Sequence, residues 1–278
     1  MRIIKADAVT EAIAALCISA NVHADEGVRR ELINARREET STLAASALEM
    51  ILENMDIAIA ENMPMCQDTG MAVVYVDIGQ EVYVQGNLAE AIHEGVRQGY
   101  RKGYLRASIV VDPINRKNTG DNTPAVIHYN IVEGDALKLT VMPKGFGSEN
   151  KGAVKMLTPS AGIEGVEDFV VDTVKKAGTD PCPPIVVGVG VGGTMEKAAM
   201  LAKEAIGCMW DGGVDVFWTQ TEERLLERIN ALGIGVAGFG GVTTALGVRI
   251  LTYPTHIAGL PVAVNIGCHV SRHKSAVL

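Results

Sequence analysis

Residues 182–207 read CPPIVVGVGVGGTMEKAAMLAKEAIG, and their reading decides the fold class. Pro183 and Pro184 exclude a helix at the start, and the β-branched run behind them predicts a strand. From Met195 apolar residues recur at three and four, which predicts a helix to Gly207. Strand, glycine-rich turn, then helix is the repeating unit of an α/β protein. Gly188, Gly190 and Gly193 also match G-x-G-x-x-G, the spacing of a dinucleotide-binding turn. Such a turn needs a longer strand before it and a second strand ending in an acid about 20 residues on. Here the strand reads as about four residues, 185–188, and no acid-ended strand follows, so nicotinamide binding is not expected.

Outward from this stretch the pattern alternates between helix and strand. Residues 7–20, 26–39 and 41–62 read as three helices, a helical N-terminal layer over 1–62. Cys17 shares a face with Ile13, Leu16 and Ala20 and reads as a core residue. Beyond Pro64, residues 72–79 and 82–86 read as strands, and Asn87 caps a helix over 87–106. Residues 125–132 and 136–145 read as a strand pair joined by Glu133, Gly134 and Asp135, with His128 as a sheet histidine. A glycine-rich loop over 144–152, helices near 162–177 and 222–233, strands over 248–254 and 260–267 and a short tail complete the chain. Gly233 is expected to close its helix, and Cys208 reads as a packing residue. With no repeat and no linker, residues 1–278 are expected to form one α/β unit, a mixed sheet with surrounding helices, the α/β part spanning 63–278.

The balance of 47% hydrophobic and 21% charged residues excludes disorder in this chain of 278 residues. A net charge of -8 provides no basic field to attract nucleic acid or anionic lipid. No run approaches the roughly 20 apolar residues of a membrane span, and the start lacks a signal peptide's apolar core, so a cytoplasmic protein is expected. Five scattered cysteines do not suggest a disulfide framework. Cys66, Cys182 and Cys268 each stand where a loop meets a β or glycine-rich element, a position suited to holding a thiolate with one side open. Spacing alone leaves two readings open, a ligand set and three unrelated buried thiols.

Five segments carry a resemblance: CQDTG at 66–70, LRAS at 105–108, PKGFGSENK at 143–151, CPP with the following glycines and GGT at 182–194, and THIAGLPVAVNIGC at 255–268. In this order they resemble the iron-sulfur class I fumarase and L-tartrate dehydratase α-type family, over nearly the whole chain. The resemblance implies a 4Fe-4S cluster on Cys66, Cys182 and Cys268. With three protein thiolates one iron stays open as a Lewis acid, the chemistry of a hydro-lyase acting on a small dicarboxylate. It also implies that Gln67 and Asp68 contact substrate and assist proton transfer, that Arg106 pairs a carboxylate, and that Gly145, Gly147 and Ser148 present backbone N–H groups to the other. His256, twelve residues before Cys268, matches the family's active-site histidine. Bland readings stand beside these: Asp68 as a turn cap, Arg106 as a surface charge, the glycines as a tight turn, His269 and His273 as surface or interface residues. Single-chain members carry a further domain after the third cysteine, whereas this sequence runs ten residues past Cys268. The expected protein is therefore the α subunit of a class I fumarate hydratase, a tricarboxylic acid cycle enzyme, completed by a β subunit in a higher oligomer. The alternatives are an L(+)-tartrate dehydratase α subunit and, from another class, a non-catalytic Fe-S scaffold or redox-sensing subunit.

Overall fold

The computed structural model describes residues 1–212 and 215–278. The chain begins with β1 (Arg2–Lys5), α1 (Ala6–Val22), α2 (Glu26–Glu38), α3 (Thr42–Ala60), β2 (Met71–Gly79), β3 (Val82–Gln85) and α4 (Leu88–Lys102). It continues with β4 (Val126–Val132), β5 (Leu137–Lys144), α5 (Phe146–Glu149), β6 (Ala153–Leu157) and α6 (Gly162–Ala177). Then follow β7 (Ile185–Gly192), α7 (Met195–Gly207), α8 (Val216–Asn230), β8 (Ala245–Tyr253), β9 (Leu260–Gly267) and β10 (Lys274–Val277). The α/β class with mixed sheets is as expected. The chain divides into two compact units, one of Met1–Ala24, Asn54–Phe146 and Arg272–Leu278, the other of Asp25–Glu53 and Gly147–Ser271.

The first unit holds a sheet in the order β10-β5-β2-β4 and a separate parallel pair, β1 with β3. Its core joins Val9 and Ile13 of α1 and Ile92 and Val96 of α4 to Val74, Leu139 and Val141 of the sheet. The Asn87 side chain caps α4 by accepting from Glu90 N at 3.1 Å, as its sequence position predicts. Residues 125–132 and 136–145 are not paired with each other. β2 lies between them, parallel to β4 and antiparallel to β5. The end of β2 is bound by their connection: Gly79, Gln80 and Glu81 N–H groups donate to the carbonyls of Ala136, Val132 and Gly134. β2 is more buried than β4, and its run of Ala72, Val73, Val74 and Val76 lies inside the sheet while β4 takes the edge. Residues 2–5, read as part of the helical layer, and the tail from Lys274 are strands because partners exist for them, β3 and β5.

The second unit holds a sheet in the order β6-β9-β7-β8. β7 has eight residues, twice the expected run, and all are buried. Its side chains alternate with the period of two that a strand imposes. Ile185, Val187, Val189 and Val191 pack with Val166, Val170 and Val174 of α6 and Leu225 and Ile229 of α8. On the opposite face a Cβ at Gly188 would stand 2.1 Å from the Ala202 carbonyl oxygen of α7, and one at Gly190 2.0 Å from that of Ala198. Gly188 and Gly190 of the apparent nucleotide motif therefore lie inside the strand and let α7 sit directly on it, while Gly193 follows the strand end at Gly192 with a φ of +70°. α8 starts earlier than expected, capped by Asp215, which accepts from Phe217 N at 2.8 Å. Among the described residues no helix is long and apolar enough to cross a membrane.

Candidate active site

In the first unit the segment 66–70 leads into β2. Cys66 is half-buried, Gln67 exposed and Thr69 buried. The Asp68 carboxylate accepts from Gly70 N at 3.0 Å and from Phe146 N at 2.8 Å. The first bond is the turn cap read from sequence. The second ties this segment to PKGF, and Gly145 makes room for it, since a Cβ there would lie 3.1 Å from Asp68 Oδ2. Thr69 Oγ1 accepts from Arg106 N at 2.9 Å, which fixes the backbone of LRAS beside the loop. The Arg106 side chain is exposed and makes no ion pair among the described residues. It stands beyond the end of α4 at Lys102, so it does not terminate that helix.

Three residues that sequence reasoning passed over hold this loop. The Tyr100 hydroxyl lies 2.9 Å from the Thr69 carbonyl and 3.0 Å from that of Gly70. Burial pushes its phenol well above the ordinary range, so it remains a neutral donor. Asn122 is fully buried; its Nδ2 donates to the Gly70 carbonyl at 3.2 Å and its Oδ1 accepts from Ser108 N at 2.8 Å. Arg272 is 4% exposed and Nη2 donates to the Asp68 carbonyl. Nothing in the sequence around Tyr100 or Asn122 signals this role, because long-range backbone anchoring leaves no local pattern.

In the second unit β7 and β9 are antiparallel neighbours with Val186 opposite Gly267. Cys182, just before β7, and Cys268, just after β9, therefore lie at the same end of the sheet. His269 Nδ1 is 2.9 Å from the Cys182 carbonyl and joins the two segments, a structural part beyond its surface reading. Cys182 is exposed with a φ of +56°, and Cys268 is half-buried. His256 lies before the other end of β9, roughly 25 Å away along eight extended residues. It is exposed beside Gly193, Thr194, Lys197 and Tyr253, and Nδ1 accepts from Ala258 N at 3.2 Å. Within this unit His256 is thus apart from the two cysteines. Ser148 is 4% exposed, and a Cβ at Gly147 would make only ordinary contact with the Asp180 carbonyl, at 3.7 Å. His128 stacks on Tyr75 in the first unit, with ring centroids 5.1 Å apart.

Among the described residues no three His, Cys, Asp or Glu side chains are grouped so as to hold a metal ion. The donor chemistry nevertheless suits a thiolate-ligated cluster. Cys66, Cys182 and Cys268 are reduced and lie on the irregular segments before β2, before β7 and after β9, and none is fully buried. Cys17 contrasts with them: complete burial in the core pushes its thiol up to about 12, which suppresses the thiolate a metal needs.

Residues 10–277 match the family model described as Fumarate hydratase (Fumerase), and the chain belongs to that family of hydro-lyases. Its similar relatives include a Methanocaldococcus jannaschii protein provisionally named L(+)-tartrate dehydratase subunit alpha, 39% identical over 272 residues and 95% of both chains. Proteins named L(+)-tartrate dehydratase subunit alpha from Escherichia coli O157:H7 and Shigella boydii serotype 4 are each 32% identical over 274 residues, 97% of this chain and 90% of theirs.

Proposed function

We propose that residues 1–278 form the catalytic α subunit of an iron–sulfur hydro-lyase that adds water to, or removes it from, a small dicarboxylate. The observation that carries this reading is the set of three reduced, incompletely buried cysteines on the irregular segments before β2, before β7 and after β9, in a chain matched by the family over 10–277. Cys66, Cys182 and Cys268 would hold a 4Fe-4S cluster, which when bound supplies Lewis acidity toward a substrate oxygen. Arg106, exposed and unpaired by another side chain, is suited to a bidentate grip on one substrate carboxylate. Asp68 holds its carboxylate at two backbone N–H groups, and each oxygen keeps a second lone pair for a substrate proton. Gln67 is exposed beside it as a further substrate contact, and Gly145, Gly147 and Ser148 supply the segment that receives the other carboxylate. His256 is kept as a residue of the assembled enzyme, outside the cluster end of its own unit.

The relatives' names specify a subunit alpha, which supports a partner β subunit and assembly into a higher oligomer. Reduced cysteines suit a reducing, cytoplasmic setting. Fumarate hydration to (S)-malate and L(+)-tartrate dehydration are both supported, the first by the family description and the second by the relatives' names. Anaerobic co-purification with the partner, followed by parallel assay of fumarate, malate and tartrate, tests the reading. Turnover of one dicarboxylate, lost together with the cluster in Cys182→Ser, is the expected result. A fully loaded complex that turns over none of them would refute it.

A further inference from the structure

Arg272 is a buried cation whose hydrogen bonds are incomplete. At 4% exposure its Nη2 donates to the Asp68 carbonyl, while Nε and Nη1 are shielded from solvent and have no hydrogen-bond partner among the described residues. Among those residues Arg272 also forms no ion pair. A guanidinium is charged at any working pH and carries five donors in a fixed fork. Burying one with a single carbonyl partner leaves the charge uncompensated and its remaining donors unmade, both unfavourable. Such a side chain is explained when something else, anionic and rich in acceptors, occupies the space beside it. The Asp68 carbonyl is two residues from Cys66, one of the thiols proposed above as a cluster ligand. Tyr100 feels the same charge, which acts against burial to lower its phenol. The neighbouring acceptors receive other donors: the Thr69 and Gly70 carbonyls accept from Tyr100, and the Asp68 carboxylate accepts from Gly70 and Phe146.

We propose that Arg272 is a positioning residue for the iron–sulfur cluster, its Nε and Nη1 donating to the sulfur atoms on the Cys66 side and its charge offsetting that of the thiolate-bound centre. This rests on the cluster reading given above. A fixed positive charge with N–H donors beside sulfur stabilises the more reduced, more negative state, so Arg272 raises the cluster's reduction potential.

The test uses the full chain, reconstituted anaerobically with iron and sulfide, as wild type, Arg272→Met and Arg272→Lys. Cluster loss to a chelator is followed by absorbance, the potential by titration with electron paramagnetic resonance, and melting with and without cluster by circular dichroism. Arg272→Met should lose its cluster at least tenfold faster and titrate at a lower potential. Its cluster-free form should melt no lower than cluster-free wild type, because an uncompensated buried charge has gone. Arg272→Lys should restore part of the potential without the slow loss, since it keeps charge but not the fork. Arg272→Met matching wild type in loss rate and potential overturns the inference. So does an equal fall in melting temperature with and without cluster, which marks a purely structural arginine. A wild-type chain that takes up no cluster overturns the cluster reading itself, a result distinct from either.

Discussion

Asp68 is held by the turn it caps and is also the residue proposed to receive a substrate proton, and substitution separates the two roles. Asp68→Ala removes both backbone hydrogen bonds, from Gly70 N at 3.0 Å and Phe146 N at 2.8 Å. Hydrogen bonds to a charged group contribute about 1.5–3 kcal/mol each, and at a half-exposed carboxylate the lower end applies, so the loss is about 3 kcal/mol. Asp68→Asn keeps an oxygen for Gly70 N but turns an NH2 group toward the Phe146 N–H, where a donor meets a donor. About half the stabilisation, roughly 1.5 kcal/mol, is then lost, and the melting temperature falls by about 3–6 °C. If Asp68 moves a proton, Asp68→Asn also loses activity by roughly a hundredfold or more. Thermal melting of the cluster-free chain and anaerobic assay of the loaded complex, normalised to iron content, give the two quantities separately. Asp68→Asn that melts as expected yet keeps more than about a third of wild-type activity at full loading refutes the proton-transfer role. An unchanged melting temperature in Asp68→Ala refutes the energetic argument.

Gly190→Ala forces a Cβ to 2.0 Å from the Ala198 carbonyl and should destabilise the chain by about 2–3 kcal/mol, read from the urea midpoint; a change below about 0.5 kcal/mol would show that α7 yields freely. In the native, cluster-free, reduced chain iodoacetamide should label Cys182 first and leave Cys17 unmodified until unfolding, since its thiol is fully buried and raised to about 12; peptide mass spectrometry decides, and early Cys17 labelling contradicts the assignment. Burial works to raise the Asp121 carboxyl, but hydrogen bonds from Arg97 and Thr123 outweigh it and bring it from 3.8 down to about 2. A depressed carboxyl stabilises the fold above its unfolded value and loses that contribution as pH falls through its folded one, so the stability gap between wild type and Asp121→Asn should be constant above about pH 5 and close toward pH 2. A gap that does not change between those limits contradicts the pairing.

Most of the fold was legible because its signals are local. Helical periodicity placed α1, α2, α3, α6 and α7 within a few residues, and a lone Asn87 marked the start of α4. What escaped depends on partners distant in sequence. Residues 2–5 become a strand through pairing with Val82–Gln85, and the tail becomes one through β5. The expected pairing of β4 with β5 fails for a similar reason: their three-residue connection suits a hairpin, yet β2 inserts between them and leaves the less buried β4 at the edge. From sequence the glycines of β7 read as the end of a strand, since glycine is usually a breaker. Here it is tolerated within the strand because α7 presses on that face, a contact no window of sequence contains.

The site shows the same division, and it explains why spacing is a poor guide to distance. Cys182 and Cys268 are 86 residues apart in sequence, yet antiparallel pairing of β7 with β9 brings their ends together, and the His269 ring spans the gap to the Cys182 carbonyl. His256 is only twelve residues from Cys268, but the intervening residues include all of β9, and an extended strand separates its ends more efficiently than any other use of eight residues. Proximity in sequence thus favours His256 as a neighbour of Cys268, while the sheet places it at the Gly193 end. Arg272 is the reverse case. Four residues after Cys268, in a stretch that reads as a short tail, it is buried in the first unit, which residues 272–278 join as β10 pairs with β5. Only there does its charge stand under the segment bearing Cys66 and Asp68. The strand and the arginine escape the sequence reading together, since residues 272–278 join the first unit through the pairing of β10 with β5, and nothing local to them signals that partner.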